Sequence, residues 1–128
     1  MAIMMMAITL TSSAQNTVDN LINKLLKSYP KTPGREIINK DIDTGKLLQR
    51  VAEYNFSDIP QKKLEPLISA LRDPKNGYYC YNQGNPHDAN DCIYELRVAD
   101  RDPNYRTAYI LLTKGNTANL HVIYGKMP

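Results

Sequence analysis

The residues with most capacity for chemistry are two cysteines, Cys80 and Cys92, two histidines, His87 and His121, and the acidic run Asp100-Arg-Asp102-Pro-Asn104. The cysteines stand in neighbouring predicted strands, and an oxidising compartment would let such a pair bridge. A Cys80–Cys92 disulfide would close a short loop and add about 3 kcal/mol on the chain-entropy account. The alternatives are two buried thiols or half of a zinc site. Zinc needs two further ligands, and His87 and His121 lack the paired spacing of a zinc motif.

Asp100, Asp102 and Asn104 have the alternate spacing that opens a calcium loop. Tyr105 then stands where that loop needs Gly, and Leu111 where it needs a bidentate Glu. The run therefore reads as a hairpin turn in which Asp and Asn side chains bond their own backbone. His87-Asp88-Ala-Asn90-Asp91 gathers an imidazole and carboxylates without a spacing that defines a coordination geometry. A Cys–His nucleophile pair would require a reduced thiol, against the bridge. His121, on a predicted strand near Tyr109, reads equally well as a satisfied sheet residue. Among six glycines no phosphate-cradling loop appears. The expectation is no metal, no cofactor and no assigned catalytic residue.

The compartment comes from the N-terminus. An apolar stretch from Ala2 to Leu10 is followed by small residues at Ser12 and Ala14 and a polar start at Gln15, which is the pattern of a secretion signal. No Lys or Arg precedes Lys24, so the basic start of such a signal is missing from the sequence. Residues 1–14 are read as a leader and 15–128 as a single domain, exported to the periplasm or the medium. The apolar run is about half the ~20 residues needed to cross a bilayer, so no membrane span is expected. Charge is nearly balanced, 16 basic against 13 acidic residues. Lys24, Lys27, Lys46, Arg50, Lys62 and Lys63 punctuate amphipathic patterns instead of forming one face, which argues against nucleic acid as a partner.

Helices are expected first. From Thr17, the residues Val18, Leu21, Ile22, Leu25, Leu26 and Tyr29 form one apolar stripe at helical spacing, with Asn16 or Thr17 as cap and Pro30 as stop. Arg35 to Ile42 is short and β-branched and fits an edge strand. Asp43 offers a cap for a second helix with Leu47, Leu48, Val51 and Tyr54 on one face. A third helix is written around Leu64, Leu67, Ile68 and Leu71, regular from about Lys63 because Pro60 and Pro66 suit only a first turn. Four strands follow, Tyr78–Asn82, Cys92–Ala99, Thr107–Thr113 and Leu120–Tyr124. The fold class is α+β, with N-terminal helices packed on one face of a four-stranded antiparallel meander.

If Cys80 faces Cys92, the register propagates across the sheet. Val98 then opposes Ala108, Leu96 opposes Ile110, and a three-residue turn Gly115-Asn-Thr117 sets Leu112 against Leu120. The helix-covered face becomes Tyr78, Cys80, Tyr94, Leu96, Val98, Ile110, Leu112, Leu120, Val122 and Tyr124. The opposite face becomes Tyr79, Tyr81, Ile93, Tyr109, Leu111, His121 and Ile123, more apolar than the wet side of a one-sided sheet should be. Tyr79, Tyr81, Tyr109, Leu111, His121 and Ile123 are thus the candidate binding residues; the alternative is that Ile37 to Ile42, the Gln83 to Asp91 loop or the second helix covers this face. The partner would be another protein, a second copy in a homodimer through this face, or a small ligand stacked on tyrosine rings.

The leader ending Ser-Ala-Gln, the helix Leu21-Ile-Asn-Lys-Leu-Leu-Lys-Ser-Tyr29 and the last strand Leu120-His-Val-Ile-Tyr-Gly-Lys126 resemble a class of small exported domains of unknown function from Gram-negative gut bacteria. The resemblance implies an α+β fold outside the cytoplasm and carries no catalytic or binding residues with it. The favoured function is a non-enzymatic binding or interaction module. The alternative is a small hydrolase-like fold with a pocket between helices and sheet, lined by Tyr94, Tyr124 and a histidine.

Overall fold

The computed structural model describes residues 13–83 and 92–126, the side chains of 13–16 and 79–83 excepted. Its elements run α1 (Ser13–Ser28), β1 (Gly34–Lys40), β2 (Leu47–Phe56), α2 (Gln61–Arg72), β3 (Tyr78–Gln83), β4 (Cys92–Ala99), β5 (Tyr105–Lys114) and β6 (Thr117–Lys126). The strands form one antiparallel sheet in the order β1-β2-β6-β5-β4-β3. The α+β class and the antiparallel meander β3 to β6 are as expected; the sheet has six strands where four were read.

The two extra strands come from the segment after α1. Residues Arg35–Ile42 do supply an edge strand, ending at Lys40. The expected helix at Leu47–Tyr54 is instead β2, a correction with a local cause. Asp43 caps nothing: the Asp41 carboxylate accepts hydrogen bonds from the backbone N–H of Asp43 (2.8 Å) and Thr44 (3.1 Å). Gly45, at φ 70°, reverses the chain, and Asp41 N–H donates to Lys46 C=O at 2.8 Å. This Asx turn sends residues 47–56 back along β1 as a hairpin, and β6 then pairs with β2 from Gln49 to Phe56. Helical spacing of four apolar residues is outweighed by two neighbouring ladders that satisfy β2's backbone on both sides.

Both helices bury the stripe their spacing predicts. Val18, Ile22 and Leu25 of α1 and Leu64, Leu67 and Leu71 of α2 are buried against Tyr94, Leu96, Tyr109, Leu111 and Leu120 of the sheet, with Phe56 and Ala118 at one end. At roughly 1.5–3 kcal/mol for each fully buried aliphatic or aromatic side chain, this layer is the main favourable term. α2 begins at Gln61, two residues before the expected start, with Pro60 as its N-cap residue and Pro66 inside it. The other end of the covered face is fastened by Tyr105, whose ring stacks on Tyr124 at 5.4 Å between centroids. The Tyr105 hydroxyl donates to Leu47 C=O at 3.0 Å, tying the β1–β2 hairpin to the meander.

Two sequence-derived registers are corrected. Cys80 pairs with Glu95 and Cys92 with Gln83, so the cysteines lie three ladder positions apart. That is about 10 Å of strand, beyond the ~4.4–6.8 Å between Cα atoms that a disulfide spans. This backbone register does not hold Cys80 and Cys92 at bridging distance, and Cys92 is packed in the core beneath the helices. The second correction is a slip of one residue in β5. Lys114 pairs with Thr117, leaving only Gly115 and Asn116 in the turn, with φ 58° at Gly115 as the first central position of a type II′ turn requires. Val98 accordingly faces Thr107, Leu96 faces Tyr109, and Leu120 faces Leu111.

Candidate functional site

A slip of one residue turns a strand over, so β5 presents opposite side chains to those expected. Tyr109 and Leu111 are buried under the helices, 1 % and 0 % exposed. They leave the candidate surface, and Ile110 and Leu112 take their places. His121 and Ile123 remain on the open face as read, both half-buried. Tyr79 and Tyr81 pair in the ladder with Leu96 and Tyr94, positions of the covered face, and their side chains lie outside the described residues. The tyrosine character that suggested ring stacking is thus absent from the described open face, apart from Tyr78 at its margin.

The ladders assemble the open face as rows. One runs Glu95, Ile110, His121, Glu53 and Arg35 across β4, β5, β6, β2 and β1; the next runs Arg97, Ala108, Ile123, Val51 and Ile37. Ile93 and Leu112 continue the apolar area on the other side of the first row. Among the described residues no element lies over these rows, and Ile93, Ile110, Leu112, Ile123 and Val51 are all half-buried by their neighbours.

Charged side chains border the aliphatic ones. Glu53 accepts from Arg35 Nε at 2.9 Å and lies 3.6 Å from His121 Nδ1, while Arg97 pairs with Glu95. Exposed pairs of this kind add at most about 1 kcal/mol each to stability. Their effect on the surface is to fix the orientation of charges around an apolar centre. Where Arg97 and Arg106 approach Ile123 and Lys126, the face dips into an open hollow of about 360 Å³. Sequence reasoning missed Ile110, Leu112, Val51, Glu53 and Arg35; the Gly115-Asn116 pair was the signal for the first two.

On the covered face the constellation is a part-buried hydrogen bond. The Tyr109 hydroxyl donates to Asp19 Oδ1 at 2.9 Å, joining β5 to α1. Burial pushes the Asp19 carboxyl above its usual range, with the tyrosine hydrogen bond opposing that shift. Burial first, then the neighbouring Asp19, push the Tyr109 phenol well above the ordinary tyrosine value. Tyr124, bonded to Asp100 Oδ2 at 3.1 Å, is raised for the same kinds of reason.

The pocket expected for an enzyme does not assemble from the residues named for it. Tyr94 is buried in the core, Tyr124 is stacked on Tyr105 at the far end of that face, and His121 is on the opposite face. A groove of about 440 Å³ does lie between the helices, floored by Leu21, Leu25 and Leu67 and rimmed by Lys24, Lys62 and Lys63, with no nucleophile–base pair in it. Asp102 forms the expected turn, accepting from Asn104 N–H at 3.0 Å. His87, Asp88, Asn90 and Asp91 lie outside the described residues. Among the described residues no three His, Cys, Asp or Glu side chains gather as a metal would require, and no helix is long and apolar enough to cross a membrane. Comparison with known proteins finds no matching family model, no matching curated protein and no matching solved structure.

Proposed function

We propose that the protein is a non-enzymatic interaction module that works outside the cytoplasm and holds another protein against the open face of its sheet. The observation that carries this reading is the group Ile93, Ile110, Leu112, Ile123 and Val51, gathered on the side away from both helices and bordered by the Arg35–Glu53–His121 and Glu95–Arg97 sets. A broad sheet face suits a macromolecular partner better than a small ligand, which needs a concave site that surrounds it. Export is supported by the apolar run Ala2–Leu10 with Ser12 and Ala14. Cleavage after Ala14 would remove only the first two residues of α1 and leave the Val18, Ile22 and Leu25 stripe whole.

The test is a pair of substitutions, Ile110→Thr and Leu112→Thr, which keep β propensity while removing the aliphatic centre. Immobilised wild-type protein should retain a partner from the exported fraction of the source cells, and the folded double variant should lose it. Retention of the same protein by the variant would refute the open-face reading.

A further inference from the structure

We propose that β1 pairs with β1 of a second copy, antiparallel about a two-fold axis at Ile38, so that two six-stranded sheets become one continuous sheet. β1 is an edge strand whose seven residues are all exposed, including Ile37 and Ile38 at 42 % and 45 %. Native proteins usually blunt such an edge with charged side chains, proline or a bulge, and here the charges, Arg35, Glu36 and Lys40, are of both signs. Between Gly34 and Lys40 there is no proline, and the extra residue that makes the hairpin irregular is Leu48, on β2.

The backbone decides which positions can pair. Pro33 C=O accepts from Asn55 N–H, and Asp41 N–H donates to Lys46 C=O, so odd-numbered residues turn their peptide groups inward to β2. In an antiparallel ladder the direction alternates, so Gly34, Glu36, Ile38 and Lys40 turn theirs outward. A symmetric pair must match outward residues with outward residues, which places the axis at a residue and not between two.

Side chains then select among the axes at Glu36, Ile37, Ile38 and Asn39, around which most of the strand can pair. An axis at Glu36 opposes Glu36 to its own copy; one at Ile37 opposes Glu36 to Ile38; one at Asn39 opposes Ile38 to Lys40. The axis at Ile38 alone opposes Glu36 to Lys40 and Arg35 to Asp41, each twice by symmetry, with Ile38 against Ile38 at the centre. Directly opposed unlike charges and β-branched pairs are the favourable cross-strand combinations, and like charges the unfavourable one. Ile37 then falls opposite Asn39, and the remaining positions of Arg-Glu-Ile-Ile-Asn-Lys-Asp are complementary to the reversed strand. The same register brings Ile42, 99 % exposed, level with Gly34 of the other copy, over which the Tyr54 ring lies. The occupant this edge fits is therefore a second copy of the chain, and its pairing would set two open faces side by side.

Sedimentation velocity over a wide concentration range, at low and high salt, tests this. The wild type should dimerise with concentration and less so at high salt. Glu36→Lys and Lys40→Glu should each weaken association at least tenfold, and the double swap should restore it, because every unlike pair is re-formed in reverse. Ile38→Pro removes an outward N–H without touching a β1–β2 hydrogen bond, and should leave a folded monomer. A wild type that stays monomeric, or a dimer indifferent to the single charge changes and to Ile38→Pro, would overturn the proposal. A dimer lost only in the Ile110→Thr, Leu112→Thr variant would overturn it in favour of pairing through the open face. Thermal unfolding at monomeric concentration confirms that each variant is folded.

Discussion

The two sides of β5 contain nearly the same chemistry and play opposite parts. Tyr109 and Leu111 face the helices and are shut off from water, while Ile110 and Leu112, their immediate neighbours, face out over the open side of the sheet. On the covered side each apolar group is enclosed by α1, α2 and flanking strands, so its loss leaves a cavity. On the open side it is bordered by strand neighbours and charged pairs, so its loss exposes little that was not already wet. Hydrophobicity is therefore a core property on one side and a surface property on the other, and only the second is available to a partner.

The contrast is sharpest in Leu111→Ala against Leu112→Ala. Urea unfolding should show a loss of about 2–5 kcal/mol for the first, the range for cavities in packed cores, and under about 1 kcal/mol for the second. A larger loss for Leu112→Ala would mean that β5 is turned the other way, and equal losses that both sides are enclosed. Tyr109→Phe should come next, costing on the order of 1 kcal/mol through loss of the hydroxyl that Asp19 accepts.

The same pair predicts a smaller dependence on pH. A carboxyl raised on folding favours its protonated form in the native state, so the stability linked to Asp19 is present below the ordinary carboxylate range and is lost as pH rises through the raised value. Asp19→Asn, which still accepts from Tyr109, should flatten that acid-range slope while leaving the neutral-pH protein at least as stable. At the alkaline end, Tyr109 stays protonated when folded, and stability should fall as pH passes the ordinary tyrosine value, where the unfolded chain ionises first. Tyr109→Phe should lessen that fall in a pH series of thermal melts. The smallest effect expected is that of a reductant: with Cys80 and Cys92 three ladder positions apart, the thermal midpoint should not move. A clear drop would show a bridge and a different β3–β4 register.

Much of the helical layer was legible because its information is local and its pattern has one solution. Val18, Ile22 and Leu25, or Leu64, Leu67 and Leu71, share a face only if the chain is helical. The Asp100–Asn104 turn was legible for a similar reason, since Asp102 bonds its own neighbouring backbone. β2 was not, because Leu47, Leu48, Val51 and Tyr54 satisfy helical spacing while its strand state depends on β1 and β6, the latter some seventy positions away in the chain. The open face was half legible: His121 and Ile123 were placed on it correctly, whereas Tyr109 and Leu111 were exchanged with Ile110 and Leu112. Four consecutive apolar residues leave alternation without a preferred face, and the length of the Gly115 turn makes the choice.

The amino-acid sequence by itself determined the class of the fold, the buried stripes of both helices, the succession of the meander strands, and the presence of more apolar strand surface than one core can cover. Tertiary structure alone decided that residues 47–56 join the sheet, which side of β5 meets the helices, and that the two cysteines pass each other by three positions. The physical reason is that a helix closes its hydrogen bonds within itself, whereas a strand takes its partner, its register and therefore its face from another part of the chain.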